Sequence, residues 1–413
     1  MKFDTGDTAW VLTSAALVMF MTPGLALFYG GMVRTKNILS MLMNNFFALG
    51  IVSVLWAVLA YSLAFGGEGE FIGNFDYAFM KDAGSVFPPG LALTIPPLLY
   101  MGYQMMFAVI TPALITGAVA DRMRFKAWVW FIGLWVLLVY TPVAHWVFAP
   151  SGWLFKEGAL DFAGGTVVHI NAGIAALACV LVLGKRKGWP NHPMPPHNLP
   201  LTLIGAGILW FGWFGFNAGS ALGGNGLAAQ ALVNTHMAAA AAMLSWLVVE
   251  KLRSGHATTL GAASGLVAGL VAITPCAGFV GTMSSIYIGA IAGALCMLAV
   301  SLKHKFGYDD ALDVVGVHLV GGIAGSLLLG VFGDVAINEF GRDGIAYGGG
   351  TGLFFDQLLA VGVTIVYSFV VTMAIMLALK KFLPGGVRAD PEQEEEGLDL
   401  TQHSETGYAL ERA

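Results

Sequence analysis

Long apolar runs recur along almost the whole of this 413-residue chain. Hydrophobic residues make up 57% of the sequence and charged residues only 11%, whereas a soluble domain carries roughly 25% charged residues. One helix needs about 20 mostly apolar residues to cross the core of a bilayer. The runs therefore predict an all-α integral membrane protein, with the lipid bilayer as its surroundings and no nucleic acid as a partner.

Eleven segments reach the spanning length, give or take a few residues: 9–33, 39–65, 94–120, 127–149, 164–183, 199–218, 227–249, 259–275, 282–302, 314–332 and 353–379. Segment 259–275 is the shortest. The last segment has about 27 residues, or roughly 40 Å as a helix, which exceeds the bilayer core. We therefore expect it to be strongly tilted.

The basic residues test this count, because Lys and Arg concentrate in cytoplasmic loops. If the N-terminus is outside, sixteen of the 20 basic residues fall on the cytoplasmic side. Those sixteen are Arg34, Lys36, Arg122, Arg124, Lys126, Lys185, Arg186, Lys187, Lys251, Arg253, Lys303, Lys305, Lys380, Lys381, Arg388 and Arg412. A miscounted span would scramble this asymmetry, so it predicts eleven spans with the N-terminus out and the C-terminus in.

A weak internal repeat relates the fifth and tenth segments. In the fifth, His169 follows an aspartate by eight residues and precedes a glycine by four, and the same spacing surrounds His318 in the tenth. An Ile-Thr-Pro sequence likewise recurs in the third and eighth segments. An odd number of spans separates each pair, so the two five-helix halves are predicted to be inverted, with a site between them near the midplane.

These boundaries predict a membrane domain over 1–383, with halves at about 9–184 and 199–333 and a last helix at about 353–383. The chain becomes polar after residue 384, and 384–413 is predicted to be a cytoplasmic regulatory tail. Its acidic stretch at 390–396 is expected to be mobile.

The two histidines are the first candidates for function, since an ionisable residue inside a membrane span is costly. The inversion should bring His169 and His318 together. Two neutral imidazoles can share one N–H···N hydrogen bond and leave one donor and one acceptor edge for a small polar molecule. The alternatives are that each ring only joins helices or that the rings bind a metal, for which no third ligand is found in the pattern.

Other residues are weaker candidates. Asp161 could cap the fifth helix through the backbone N–H groups of residues 164 and 165, could add negative potential outside the pore, or could bind a cation directly. Phe107 and Phe216 could attract a cation, close a pore to water, or simply pack. Ser220 adds a hydroxyl group just beyond Phe216.

The stretch DFAGGTVVHINAGIAALACVLVLGKR at 161–186 resembles the signature of the Amt/Mep/Rh ammonium transporter family, and of its Amt branch. FYGGMVRTKN, FAVITPALITGAVADRMRF, GWFGFNAGSA and DVVGVHLVGGIAG extend the resemblance over nearly the whole chain. The resemblance implies an eleven-helix inverted-repeat fold and a homotrimer with one pore in each subunit. The sequence shows no nucleophile–base pair and no closed set of metal ligands, so we expect neither a cofactor nor enzymatic activity.

The resemblance also assigns roles to particular residues. It implies that His169 and His318 are the twin pore histidines, with Thr274 adjacent to the pore. Phe107 and Phe216 match the stacked gate. An outer recruitment site for ammonium is implied at Ser220, with Phe107, Phe148, Trp213 and Asp161 near it.

Two positions depart from the family pattern. Phe148 stands where many relatives have a tryptophan, so we expect a weaker outer site, because a phenyl face attracts cations less than an indole does. Tyr103 stands where a phenylalanine is common. The tail, with Gly397-Leu398-Asp399, resembles the Amt region that couples subunits and meets PII-type signalling proteins.

Together these features predict a multi-pass protein of the inner cell membrane that transports ammonium, with methylammonium as an analogue. It would recruit the cation outside, deprotonate it at the gate and conduct ammonia past the histidines, with the proton crossing separately. The alternatives are a sensor that reports ammonium through its tail and a channel for neutral gases such as ammonia or carbon dioxide.

Overall fold

The computed structural model describes residues 2–408 of the chain. Arg412 and the end of the predicted tail, 409–413, lie outside the described residues. The described part of the chain is helical and contains no β-strand, with one isolated bridge between Met123 and Arg388. The prediction of an all-α protein is therefore confirmed.

Within residues 2–408, ten helices are long and apolar enough to cross a membrane, and an eleventh apolar helix is shorter. In chain order they are α1 (Thr5–Met32), α2 (Thr35–Phe65), α3 (Pro97–Val119), α4 (Phe125–Lys156, with a turn after Phe148), α5 (Gly165–Leu183), α6 (Leu199–Ala221), α7 (Gly226–Ser254), α8 (Thr259–Ile273), α9 (Thr282–Phe306), α10 (Val315–Phe332) and α11 (Gly352–Phe382). Helix α8 has 15 residues and coincides with the shortest predicted segment. Ten spans are therefore supported by length, and the count of eleven stays a prediction.

The fifth helices of the two predicted halves cross in an antiparallel direction. Along α5 the contacts begin with Thr166, whose hydroxyl lies 3.3 Å from that of Ser326 of α10. Further along α5, Gly173 faces the backbone of Leu319, an earlier residue of α10. The contact moves backward along α10 as it moves forward along α5, which is the arrangement that an inverted pair of repeats requires.

Glycine makes this crossing possible. A Cβ atom on Gly173 would lie 2.5 Å from the backbone nitrogen of Leu319, and one on Gly322 would lie 3.1 Å from that of Ile170. Both glycines stand four residues after a histidine, so the repeated spacing in the sequence marks the point where each helix lies against the other half. Small residues at such crossings let helix backbones approach closely.

The first helices of the two halves repeat the pattern. Along α1, Met21 lies near Gly212 of α6, whereas the later residue Phe28 lies near the earlier residue Gly205. Helices α1 and α6 therefore also run antiparallel. The two antiparallel pairs bring α1, α3, α5, α6, α8 and α10 around one central axis.

The acidic stretch of the tail is folded, so the expectation that 390–396 is mobile was wrong. It forms α12 (Pro391–Glu396), followed by α13 (Leu398–His403). Glu394 is buried and accepts hydrogen bonds from Arg388 at 2.8 Å and from the backbone of Lys187 at 2.6 Å. A single buried carboxylate with two charge-assisted partners orders a segment whose composition alone suggests disorder.

The tail also caps α2. Asp399 accepts the backbone N–H of Ser40 at 2.8 Å, and the Leu398 N–H donates to the Asn37 side chain at 2.8 Å. Asn37, the residue before the α-helical part of α2, makes no cap with its own side chain. The helix therefore takes its N-terminal cap from a residue 359 positions later in the chain.

Candidate functional site: a histidine-lined pore

Each histidine lies in a widened first turn of its helix. Helix α5 opens with a π-helical turn at Gly165–Ile170 that contains His169, and α10 opens with one at Val315–Leu319 that contains His318. Such π turns are often found at functional sites. Their presence at matching positions of the two halves extends the repeat from sequence to backbone geometry.

Asp161 holds the start of α5. Its two carboxylate oxygens accept four backbone N–H groups, those of residues 164 to 167, at 2.7 to 3.2 Å. This is the cap that the sequence predicted at residues 164 and 165, extended by two donors. Both oxygens of Asp161 are therefore engaged by backbone donors at the start of α5.

The two histidine rings meet. Nδ1 of His169 lies 3.2 Å from Nδ1 of His318, with the ring planes 23° apart. Only one of the two neutral rings can place its proton in this contact, so one Nε2 carries a hydrogen and the other carries a lone pair. Nε2 of His169 is buried without a protein partner. The pair therefore presents one donor and one acceptor edge to whatever passes it.

Aromatic rings fix the histidines from one side. The indole of Trp213 stacks on His169 with centroids 5.4 Å apart, and Phe216 stacks on the same ring at 6.0 Å. The Trp213 N–H donates to the hydroxyl of Thr274 at 2.9 Å, and Thr274 donates in turn to the Leu270 carbonyl. Thr274 is thus a support for Trp213 in the structure.

Phe107 and Phe216 separate the histidines from a wider cavity. Their centroids are 4.4 Å apart with the planes tilted by 45°. Beyond Phe107 lies a cavity of about 130 Å³, here named the Ser220 cavity. It is lined by Leu91, Tyr100, Tyr103, Gln104, Phe107, Phe148, Phe162, Ala163, Ser220 and Leu222.

The hydroxyl of Tyr103 organises one wall of this cavity. It lies 2.8 Å from the Gly215 carbonyl, 3.0 Å from the Phe216 carbonyl and 3.2 Å from the Ser220 hydroxyl. Ser220 donates to the Phe216 carbonyl at 2.8 Å. A phenylalanine at position 103 could make none of these bonds, so the departure noted in the sequence adds polar contacts between α3 and α6.

A file of cavities continues past the phenylalanines. A narrow apolar space of about 10 Å³ is lined by Phe216, Trp213 and both histidines, and a second of the same size lies beyond His318. The second shares Met32, Leu312 and Asp313 with a cavity of about 150 Å³, here named the Arg186 cavity. A space of roughly 10–15 Å³ holds one water-sized molecule, so the central part admits small molecules singly.

The structure brings most of the predicted residues to this file. Phe107, Phe148 and Ser220 line the Ser220 cavity, whereas Trp213, Phe216, His169 and His318 line the narrow space. The resemblance implied that Trp213 is near the outer recruitment site. In the structure its indole lines the narrow space beside the histidines, where its N–H donates to the Thr274 hydroxyl.

Sequence reasoning missed Tyr100 and Gln104. With Tyr103 and Phe107 they recur at three- and four-residue intervals, so they form one stripe along α3 that faces the Ser220 cavity. This polar and aromatic stripe within an apolar helix was the available signal. The apolar lining from α1, which includes Met21, Leu25 and Phe28, carried no such signal because any buried helix contains similar residues.

Known proteins resemble this chain over nearly its whole length. A family model described as Ammonium Transporter Family matches residues 9–408. An ammonium transporter of Mycobacterium tuberculosis is 51% identical over 98% of this chain and 90% of its own length. An ammonium transporter of Bacillus subtilis is 50% identical over 98% of each chain.

Solved structures resemble the whole fold. The crystal structure of Candida albicans Mep2 matches with a TM-score of 0.89 and 35% identity, covering 95% of this chain and 88% of that chain. A structure described as Sensor Amt Protein matches with a TM-score of 0.88 and 31% identity, covering 96% of this chain and 98% of that chain.

Proposed function

The chain belongs to the ammonium transporter family, and we propose that it carries ammonium through the file of cavities from the Ser220 cavity to the Arg186 cavity. The observation that carries the proposal is the histidine contact, 3.2 Å between Nδ1 atoms, within a narrow and apolar space. The family consists of transporters, so the chain is a multi-pass membrane protein and not an enzyme.

Recruitment of the cation is the first step. The Ser220 cavity offers ring faces from Phe107 and Phe148 and hydroxyl groups from Ser220 and Tyr103. Aromatic faces attract ammonium, and the hydroxyl oxygens accept its hydrogens. Asp161 lies at the adjoining end of α5 and contributes through negative potential, since its oxygens are already engaged by backbone donors.

Deprotonation at the phenylalanine gate follows from desolvation. An ammonium ion that leaves the Ser220 cavity must pass between Phe107 and Phe216 into a space with few polar groups. Burial disfavours the charged form, so the cation loses a proton there and ammonia continues. Potassium has no proton to lose and pays the full cost of burial as a cation, which gives selectivity against it.

The histidine pair then provides polar contacts in an otherwise apolar passage. Ammonia both donates and accepts hydrogen bonds, which matches the one donor and one acceptor edge of the pair. We propose that the proton crosses by a separate polar path helped by this pair, so that net transport is electrogenic. At the far end the Arg186 cavity, with its charged lining, returns the products to water.

The setting of this pore is part of the proposal. We propose eleven spans in an inner cell membrane, with the Ser220 cavity outside and the Arg186 cavity and tail inside, as the basic residues predict. We also propose the domain division at about residue 384, with the halves at 9–184 and 199–333, and assembly as a homotrimer. The folded tail provides a surface that a PII-type regulatory protein could bind.

Current recorded on a solid-supported membrane tests the function. Vesicles with purified protein should give a current with ammonium, a smaller one with methylammonium and none with potassium. His169→Ala should abolish the ammonium current, whereas His236→Ala, which changes a histidine on the exposed face of α7, should leave it unchanged. Current that is indifferent to both pore histidines, or equal with potassium, would refute the mechanism.

A further inference from the structure

The two halves carry equivalent capping aspartates that are bonded unequally. Asp161 at the start of α5 accepts four backbone N–H groups. Asp310 stands at the matching position before α10, where the N–H groups of Val314 and Val315 face its carboxyl group. Only Oδ2 has a partner at hydrogen-bond distance, the Val315 N–H at 2.7 Å.

The other oxygen of Asp310 is left over. Oδ1 is buried and has no hydrogen-bond partner among the described residues, and the whole residue is 1% exposed. A buried carboxylate with an empty oxygen is expensive because its charge is not compensated. At Asp161 the cap engages both carboxylate oxygens. At Asp310 the cap engages only Oδ2, so Oδ1 is free to gain and lose a proton.

The charged and titratable neighbours of Asp310 within the described residues make no hydrogen bond to its Oδ1 atom. Lys303 donates to the side chain of Asp313 at 2.6 Å and to the backbone carbonyl of Asp310 at 3.1 Å, so its ammonium group is used elsewhere. Tyr29 donates to the Leu114 carbonyl. Tyr308 lies near both Asp310 and Asp313.

The same surroundings favour the protonated form. Burial, and then the negative charge of Asp313, raise the pKa of Asp310 to about 6, and the charge of Lys303 opposes this shift. The carboxyl group can therefore exchange a proton close to the pH of a cell interior.

Its position suits a transfer group. The three residues that follow Asp310, Ala311 to Asp313, line the Arg186 cavity, and His318 lies eight residues after Asp310, in the first turn of α10. Tyr29, which faces Asp310, lines the narrow space beyond His318. Asp310 itself is not among the described residues that line either space, but the residues directly after it and its neighbour Tyr29 are, so its carboxyl group lies just behind the wall of the inner end of the pore.

We infer that Asp310 is the carboxyl group that holds the transported proton at the inner mouth of the pore. Its carboxylate takes the proton from a protonated water molecule on the histidine side, so one O–H bond of that donor breaks as the carboxyl O–H bond forms. The carboxyl O–H bond breaks in turn when the proton passes to ammonia or water on the side of the Arg186 cavity, so only a proton enters and leaves. This inference rests on the proton co-transfer of the proposed function.

Infrared spectroscopy tests the carboxyl group directly. In pH-difference spectra of the reconstituted full-length protein, the C=O band of a protonated carboxyl group should titrate with a midpoint near pH 6 and be missing in Asp310→Asn. Asparagine keeps an oxygen that can accept the Val315 N–H, so the cap is retained. Glu339→Gln removes an exposed carboxyl group and should leave the band unchanged.

The variant Asp313→Asn provides a second test that does not require Asp310→Asn to fold. Asp313→Asn removes a like charge and frees Lys303 to attract Asp310, and both effects favour the ionised form. The midpoint should therefore move to lower pH. A band that persists unchanged in Asp310→Asn, or a midpoint that Asp313→Asn leaves unaltered, would overturn the inference.

Transport completes the test. The ammonium current of Asp310→Asn should fall by roughly a hundredfold, the lower end of the range for loss of a proton-transfer group, while Glu339→Gln keeps the wild-type current. An Asp310→Asn current with the wild-type size and pH profile would overturn the role. If the wild-type protein gave no ammonium current, both the proposed proton co-transfer and the role of Asp310 in it would be contradicted. The infrared titration would still report separately whether Asp310 exchanges a proton.

Discussion

The Nδ1 atoms of His169 and His318 form a single hydrogen-bonded contact of 3.2 Å, so neither ring has an independent tautomer. Each ring fixes which edge the other presents to the narrow cavity. Residues that act as a unit show non-additive losses when they are changed.

We therefore predict that His169→Ala and His318→Ala each lose nearly as much ammonium current as the double variant. Solid-supported-membrane currents normalised to the amount of reconstituted protein would measure this. Losses that multiply in the double variant would mean that the two rings act independently.

Phe148 gives a prediction for the Ser220 cavity. A cation over an aromatic face gains about 0.5–1 kcal/mol at an exposed site, and the indole of tryptophan is the best such face. Phe148→Trp should therefore lower the half-saturating ammonium concentration, by no more than roughly fivefold. Concentration series of ammonium current would show the change, and Phe148→Leu, which has no ring, should shift the value in the opposite direction.

Gly173 gives a prediction for the crossing of α5 and α10. An added Cβ would lie 2.5 Å from the Leu319 nitrogen, which cannot move without displacing α10. Overpacking of this kind costs about 1–3 kcal/mol, so Gly173→Ala should lower the thermal unfolding midpoint in detergent. Gly50 has nothing within 4 Å of such a Cβ, so Gly50→Ala is the matched control and should leave the midpoint unchanged or higher.

Asp399 gives a prediction for the tail. Loss of an N-cap costs about 0.5–2 kcal/mol, and here the cap also joins the tail to α2. Asp399→Ala should release the tail and speed its cleavage by a protease added to solubilised protein. Glu392→Ala changes an exposed acidic residue of α12 and should be cleaved at the wild-type rate. Equal rates for both variants would mean that the cap does not hold the tail.

Asp309 gives a prediction about pH. Burial alone would raise its pKa, but the hydrogen bonds and charge of Arg186, followed by the charge of Arg122, outweigh burial and hold the pKa below its usual value. A carboxyl group whose pKa is lower in the folded state stabilises the protein above its unfolded value of about 3.9, and this stabilisation is lost as the pH falls through the folded value.

Asp309→Asn should therefore lower the unfolding midpoint at pH 7, and the gap to wild type should narrow below about pH 4. Arg186 contacts both oxygens of Asp309 at 2.8 and 2.9 Å and would keep only its longer contact with Asp121, at 3.4 Å. Removing one partner of a buried pair costs about 3–5 kcal/mol. Asp356→Asn, in a more exposed pair with Arg342, should cost about 0–1 kcal/mol.

The sequence determined the membrane class, the helical segments and the histidine candidates, because these depend on local properties. Apolar length sets each helix, and the repeated spacing around His169 and His318 pointed to one site in two halves. The Asp161 cap could also be predicted from the sequence, since an N-cap bonds only to the residues that directly follow the capping residue.

Tertiary structure decided which side of Phe216 each side chain occupies and what Thr274 does there. It decided that Asp310 keeps one empty oxygen where Asp161 keeps none, and that the acidic tail folds against α2 and Glu394 becomes buried. These outcomes depend on contacts between residues tens to hundreds of positions apart. Antiparallel helix crossings set those contacts, and no local pattern of residues encodes the distance between two helices.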